Sequence, residues 1–451
     1  LRGLRYANEL LEKLIISKSE DIICPVATVI QDSPIQIRGV IEGFYGQPWS
    51  HKNRLNVIDY LGCHRMNTYM YAPKDDVYQR KEWRKLYPVN LQDEFSELQE
   101  RCLQEQIDFY YMISPGNDIC LSDDDDVSIL CEKLQQMIDL GFTHFGLLFD
   151  DIDYHLKGRA LVKFSTAANA HANLANQVNS YLKEKLSSYK LVICPTEYDN
   201  AEGTVYLSEL TEKLAPEVMM FWTGPSTLAS QISTYDLRVM AQVYQRKMII
   251  WDNVPVNDFQ NDAERLFLSP YRNRTPHINN DLYNVAGIVS NPMPEWESSK
   301  ITIGTMSDYL WNPSRYRPQE SFLSNLEDLI PKPLYSSFLL FASFNKNRFM
   351  QNDYQYDQIN MINRNSVDEI TNVLKNLMEV SIKLQTGVES SPLLKEMLPW
   401  LMRPAKDLEL WNAIVVGNKN QVTYLKNRLA SDHHRMGTDL VAKYIQKYSI
   451  Q

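Results

Sequence analysis

From residue 35 the chain alternates short apolar runs with longer stretches whose apolar positions recur every three or four residues. The runs fall at Ile35–Ile41, Met66–Tyr71, Ile107–Ile113, Phe145–Phe149, Leu191–Cys194, Val218–Phe221, Met248–Trp251 and Val285–Val289. Their short length and β-rich content predict strands. The intervening stretches, clearest at 93–106 and 123–140, carry helical spacing, though the sixth to eighth connections are less regular. Eight strands alternating with helices predict an α/β fold, a (β/α)8 TIM barrel over residues 35–314. On the N-terminal side, residues 3–16 read as a helix and 22–30 as a short strand. With Asp32-Ser33-Pro34 as punctuation, residues 1–34 are expected to be the remnant of an N-terminal α/β domain. Beyond Pro313 the strand signals stop. Residues 366–384 place apolar side chains at 367, 370, 374, 377 and 384, and 318–330, 334–347, 391–415 and 436–447 also read as helices. Such stripes need a partner to bury them, so residues 315–451 are expected to form a C-terminal helical domain. Tyr335, Phe338, Phe341 and Phe344, spaced by three, belong to its core.

At 451 residues, 44% hydrophobic and 23% charged, the chain has room for a barrel of about 250 residues and a second domain. The formal net charge of -10 argues against a nucleic-acid partner, which needs clustered Lys and Arg. No apolar run approaches the roughly 18 residues a membrane span requires. The chain opens at Leu1 without a signal-peptide pattern and is read as a piece whose targeting segment is absent. The six cysteines form no C-x-x-C pair, and most are expected to be small core residues. The histidines form no H-E-x-x-H, so neither a metal nor another cofactor is expected. Asp123–Asp126 lacks the alternating ligands and the glycine of a calcium loop. It reads as the acidic N-terminus of the next helix.

The strand ends carry the chemistry. They close on Glu42-Gly43, Lys74-Asp75-Asp76, Asp118, Asp150-Asp151, Thr196-Glu197-Tyr198, Thr223-Gly224, Asp252-Asn253 and Asn291-Pro292. In a barrel these ends converge on the face where active sites are built. Two adjacent carboxylates at one exit, Asp150 and Asp151, would repel and raise one pKa, which suits a general acid beside an ionised partner. A helix N-cap or turn is the bland alternative. Neighbours on one strand exit approach a sugar from nearly one direction. A glycosidase with an enzyme nucleophile needs two carboxyls on opposite sides of the anomeric carbon. The vicinal pair fits better a reaction in which a 2-acetamido oxygen attacks that carbon. Taken singly, Gly43 could serve a turn needing positive φ, Lys74 could be a solvated charge and Trp251 could be core.

Several stretches resemble glycoside hydrolase family 84, the O-GlcNAcase and hyaluronidase-type β-N-acetylglucosaminidases. They are Gly39 to Trp49, Tyr71 to Asp76, Phe149 to Ile152, Cys194 to Tyr198, Trp222 to Pro225, Trp251 to Asp258, and Asn291-Pro292-Met293. The likeness runs from about residue 30 to 315, and Glu297 to Lys300 and Trp311-Asn312-Pro313 look more like bacterial members. This resemblance implies removal of β-linked N-acetylglucosamine, with retention, through an oxazoline and without a metal. It implies that Asp150 polarises the acetamido group and that Asp151 is the general acid/base. Tyr198 would support the acetamido group, Trp251 would wall the pocket and Asn253 would hydrogen-bond nearby. Lys74, the Gly43 carbonyl, Asp258 and Asn291 would hold sugar hydroxyls. Asp199-Asn200 are less family-like and fall on the aglycone side. The implied partner is a glycoprotein or glycan bearing N-acetylglucosamine. The bacterial likeness points to a secreted or cell-surface protein, while cysteines read as reduced are compatible with the cytoplasm. Two other readings stay open: an endo-acting hyaluronidase-type barrel, and a catalytically silent sugar-binding module.

Overall fold

A computed structural model describes residues 2–18, 21–26, 28–29, 33–259, 263, 265–347, 349–350, 367–437 and 440–447. A helix, Arg2–Leu14, leads into a hairpin of β1 (Ile16–Lys18) and β2 (Asp21–Ile23). Of the strand expected at 22–30, Ile22 and Ile23 end β2 and the other described residues of that stretch are in no strand, while 27 and 30 lie outside the described residues. Pro25 follows closely and cannot donate to a ladder, so pairing stops there.

Eight parallel strands then close a barrel: β3 (Ile37–Glu42), β4 (Thr68–Tyr71), β5 (Asp108–Ile113), β6 (His144–Leu148), β7 (Lys190–Cys194), β8 (Met219–Trp222), β9 (Met248–Asp252) and β10 (Val285–Ser290). The last pairs with the first, Gly287 opposite Ile37. All eight expected runs are strands, with small shifts at their ends. Ile41, Met70, Met112, Val192, Phe221, Ile249 and Val289 fill the interior. Alternate residues such as Val40, Tyr69, Tyr111 and Ile193 pack outward under the helices. Burial on both faces explains why the runs read as continuously apolar.

The irregular connections have physical reasons. After β9 the chain reaches β10 with no α-helix among the described residues, only a short 3-10 turn at Asp281–Tyr283. In that segment Leu266, Phe267 and Leu268 are buried together with Phe338, Phe341 and Leu394 of the C-terminal helices. The helix after β10, Trp296–Trp311, is buried along nearly its whole circumference. A helix enclosed between barrel and C-terminal helices shows no amphipathic stripe.

Past Pro318 the described chain is helical. Helices run at Pro318–Leu326, Tyr335–Ser343, Val367–Gln385, Arg403–Val415, Lys419–Ala430 and Leu440–Lys447. The single helix expected over 391–415 is three pieces, Pro392–Glu396, Leu398–Leu401 and Arg403–Val415, with a proline in the first turn of each. Proline starts a helix readily but cannot continue one. Phe338, Phe341 and Phe344 are buried, with Tyr335 packed beside them. Asp123 caps helix Asp124–Asp139 by accepting from the Asp125 N–H. The cysteines depart in part from expectation: Cys102 and Cys194 are buried, but Cys24, Cys63 and Cys120 are exposed. No helix among the described residues is long and apolar enough to cross a membrane.

Candidate active site

The C-terminal strand ends enclose a cavity of about 460 Å³, lined by all nine residues singled out in the sequence. Not every carboxylate at these exits faces it. Glu42 is fully buried and accepts from Arg54, the Tyr69 hydroxyl and the Trp49 N–H. Asp252 is held by Arg274 and the Tyr271 hydroxyl. Asp76 accepts from the hydroxyls of Tyr71 and Tyr87. These three tie the loops to the barrel, leaving Asp150, Asp151 and Asp258 among the cavity's lining residues.

Asp150 and Asp151 are set by the exit of β6. Phe149 extends the ladder one residue past the strand: its N–H donates to the Cys194 carbonyl at 2.9 Å, and its carbonyl accepts from the Thr196 hydroxyl at 2.8 Å. Asp151 then adopts a left-handed backbone, φ 54°, unusual for a residue other than glycine. The two carboxylates meet different partners. Asp150 is buried, with Oδ2 bound to the Lys74 ammonium and Oδ1 without a hydrogen-bond partner among the described residues. Asp151 is exposed and accepts from the Tyr45 hydroxyl at 2.7 Å and the Tyr198 hydroxyl at 3.0 Å.

The expected upward push on one aspartate is not what this geometry produces for Asp151. Loss of solvent alone would raise its pKa. The Tyr45 hydroxyl, the Lys74 charge, the Tyr198 hydroxyl and Arg80 outweigh that and hold it below the usual aspartate value. The cation seated beside the pair offsets the repulsion that adjacency would create. Burial disfavours the Lys74 charge, but Asp150, Tyr45 and Asp151 together outweigh it and raise its pKa, so Lys74 stays a cation. Asp258 goes the other way: burial raises it, against the Tyr45 backbone N–H that donates to its Oδ2 at 2.6 Å.

The opposite wall is one hydrogen-bonded chain. The Gly43 N–H donates to Asn291 Oδ1 at 3.2 Å, and Asn291 Nδ2 donates to Asn253 Oδ1 at 3.0 Å. Asn253 Oδ1 also accepts from Trp251 Nε1 at 3.1 Å, while its Nδ2 donates to the Thr227 carbonyl at 2.8 Å. Gly43 is not among the positive-φ glycines. It is small because a Cβ there would stand 2.3 Å from Cζ2 of Trp251. Lys74 lies 5.7 Å from the same indole and 5.6 Å from the Tyr45 ring. Lys74 is therefore buried in the cavity rather than a solvated charge, and Trp251 is both core and wall.

Comparison with known proteins fits this arrangement. The family model for β-N-acetylglucosaminidase matches residues 38–343, spanning all eight strands but for the first residue of β3. The chain belongs to this family, glycoside hydrolase family 84. Protein O-GlcNAcase of Mus musculus and that of Rattus norvegicus are each 35% identical over 277 residues, 60% of this chain and 29% of theirs. The chain thus matches under a third of the length of these curated relatives. A mutant of the Thermobaculum terrenum O-GlcNAc hydrolase superposes with a TM-score of 0.79 at 27% identity, covering 92% of this chain and 94% of the other.

The cavity of this family member holds more than its motif aspartates. Sequence reasoning gave no role to Tyr45, Cys194, Thr227 or Leu228, which also line it. Tyr45 stood inside a quoted motif, and its place two residues past the exit glycine was the available signal. Asp199, expected toward the aglycone, accepts from the Thr227 hydroxyl at 2.6 Å and so braces the wall. Among the described residues no group of three or more His, Cys, Asp or Glu is placed to hold a metal.

Proposed function

We propose that this chain is a retaining exo-β-N-acetylglucosaminidase that removes terminal β-linked N-acetylglucosamine from glycoproteins or glycans by substrate assistance. The barrel, residues 35–314, would be the catalytic unit. The observation that carries this reading is Asp150 Oδ1, a buried acceptor without a partner among the described residues, beside Asp151 with its two bound hydroxyls. A buried carboxylate oxygen left unpaired is costly unless a ligand donor completes it. The 2-acetamido N–H is such a donor.

In the first step the acetamido oxygen attacks the anomeric carbon while Asp151, acting through the protonated form that its hydroxyl and Lys74 contacts disfavour, gives its proton to the departing glycosidic oxygen. Asp150 accepts the amide N–H and stabilises the positive charge that grows on the acetamido group, and Tyr198 supports that group. In the second step Asp151 takes a proton from water as the water oxygen attacks the anomeric carbon. The oxazoline opens, and the β-hemiacetal with its intact acetamido group leaves. Trp251 walls the sugar, Asn253 hydrogen-bonds nearby, and Lys74, the Gly43 carbonyl, Asp258 and Asn291 hold hydroxyls.

Asp258 is the one further carboxylate among the lining residues that could serve as an enzyme nucleophile. Burial favours its neutral form, which suits a hydroxyl partner better than a nucleophile. A cavity of about 460 Å³ lies at the small end of the range of ligand sites, about 300–1,000 Å³, and favours a terminal sugar over an internal polymer segment. The test is turnover of an aryl β-N-acetylglucosaminide beside the matching β-glucoside. Rapid cleavage of the first with negligible cleavage of the second is expected. Equal rates would defeat substrate assistance, and cleavage only within hyaluronan would favour the endo reading.

A further inference from the structure

Only Pro292, Met293, Pro294 and Glu295 separate Asn291 in the cavity wall from the first turn of helix Trp296–Trp311. The N-cap position of that helix is Glu295, but its side chain makes no capping bond. Its Oε2 accepts instead from Asn257 Nδ2 at 3.0 Å. The first-turn amides of a helix need acceptors when they are buried. Here they come from Glu396, 98 residues beyond Ser298, on the C-terminal helix Pro392–Glu396. Glu396 Oε1 accepts from the Glu297 N–H at 3.1 Å, and Oε2 accepts from the Ser298 N–H at 2.7 Å and its hydroxyl at 2.8 Å.

The capped turn is tied to the sugar side of the cavity by two routes. Ser299 Oγ accepts from the Met293 N–H at 3.0 Å and donates to the Glu295 carbonyl at 2.9 Å, fixing the segment that leads back to Asn291. Glu295 holds Asn257, which is buried and immediately precedes Asp258. The Val256 N–H closes the circuit on the Asn291 carbonyl at 3.0 Å. We propose that Glu396 is a positioning residue for Asp258 and Asn291, so that the C-terminal helices, beyond the family-matched segment, help set recognition of the sugar hydroxyls. This rests on the reading of Asp258 and Asn291 as hydroxyl ligands.

The experiment compares the full chain with Glu396→Ala, Glu396→Gln and Asp258→Asn. The substrates are a nitrophenyl β-N-acetylglucosaminide and its 3-, 4- and 6-deoxy analogues, with concentrations of active protein matched by inhibitor titration. Asp258→Asn identifies the hydroxyl it holds, as the position whose removal costs that variant least. Glu396→Ala should lower kcat/KM on the intact sugar about tenfold, chiefly through KM, because the residues form one coupled network. The analogue already lacking that hydroxyl should lose clearly less than the intact sugar, the remainder arriving through Asn291. Glu396→Gln, which keeps an acceptor for Ser298, should recover most of the loss. Equal losses on every substrate, or unchanged constants with only a lower Tm, would overturn the inference while leaving the site reading intact. If Asp258→Asn treats all the analogues alike, the reading of Asp258 itself falls, and this inference with it.

Discussion

Tyr45 donates its hydroxyl hydrogen bond to Asp151 Oδ2 at 2.7 Å, reaching from the loop after β3 to the exit of β6. Arg80 donates to the same hydroxyl at 3.3 Å, and the Tyr45 backbone N–H binds Asp258. One rim residue therefore touches both the proposed acid/base and a proposed sugar ligand.

This contact sets a pH signature. A donor to the ionised carboxylate lowers the pKa of Asp151, and removing it raises that pKa. The proposed general acid then stays protonated to higher pH. Tyr45→Phe should shift the alkaline limb of kcat/KM upward, whatever it does to the maximum, when measured with a poor leaving group. A limb that stays in place or moves down would show that Tyr45 does not govern this proton.

The left-handed backbone at Asp151 separates two substitutions usually treated as equivalent. Asparagine tolerates φ 54°, whereas alanine there adds about 1 kcal/mol of strain. Asp151→Asn is thus the cleaner probe of proton transfer. It should lose far more activity on an alkyl or sugar aglycone than on a nitrophenyl one, and azide should restore turnover and give the β-azide. Asp150→Asn should lose activity on every leaving group and respond poorly to azide. The reverse pattern would exchange the two roles, and an α-azide would refute retention.

The Lys74–Asp150 pair is nearly dry, with side chains 3% and 6% exposed. Removing one partner leaves the other charge buried and alone. Lys74→Met should lower the unfolding free energy by roughly 3 kcal/mol, read as a lower urea midpoint at unchanged m. A stability equal to that of the parent would mean the pair opens to water.

Gly43→Ala tests the contact that fixes the Trp251 wall. The added Cβ would stand 2.3 Å from the indole, so Trp251 has to move. A cost of about 1–3 kcal/mol in stability is expected, with a rise in KM larger than that of Gly3→Ala, whose Cβ would meet nothing within 4 Å. Equal KM values for the two variants would remove Trp251 from the sugar's wall.

The barrel was legible because strands buried on both faces leave unbroken apolar runs, as at Phe145 to Leu148. The aspartate pair was legible because such a run ended on two charges. What stayed hidden depends on contacts distant in sequence. Nothing near Asp252 in the chain announces that Arg274 and Tyr271 consume it; only the family resemblance, which gives a role to Asp258 and none to Asp252, set the two apart. Helix Trp296–Trp311 was obscure because burial all round erases its stripe. Gly43 was legible as a special residue but not for its actual reason, since the indole it accommodates belongs to a strand far along the chain. The opposing effects of burial and of the Lys74 and tyrosine contacts on Asp151 likewise arise only when separate strand exits meet.

The central claim is that the substrate's own 2-acetamido oxygen is the nucleophile. Its most direct test is the rate of hydrolysis across a series of nitrophenyl glycosides whose N-acetyl group carries no, one, two or three fluorines. Each fluorine lowers the basicity of that oxygen and leaves the rest of the sugar in place. Substrate assistance predicts a steep, monotonic fall in kcat along the series, with the trifluoro compound nearly inert. A flat response, together with hydrolysis of the 2-hydroxy analogue at a similar rate, would contradict it.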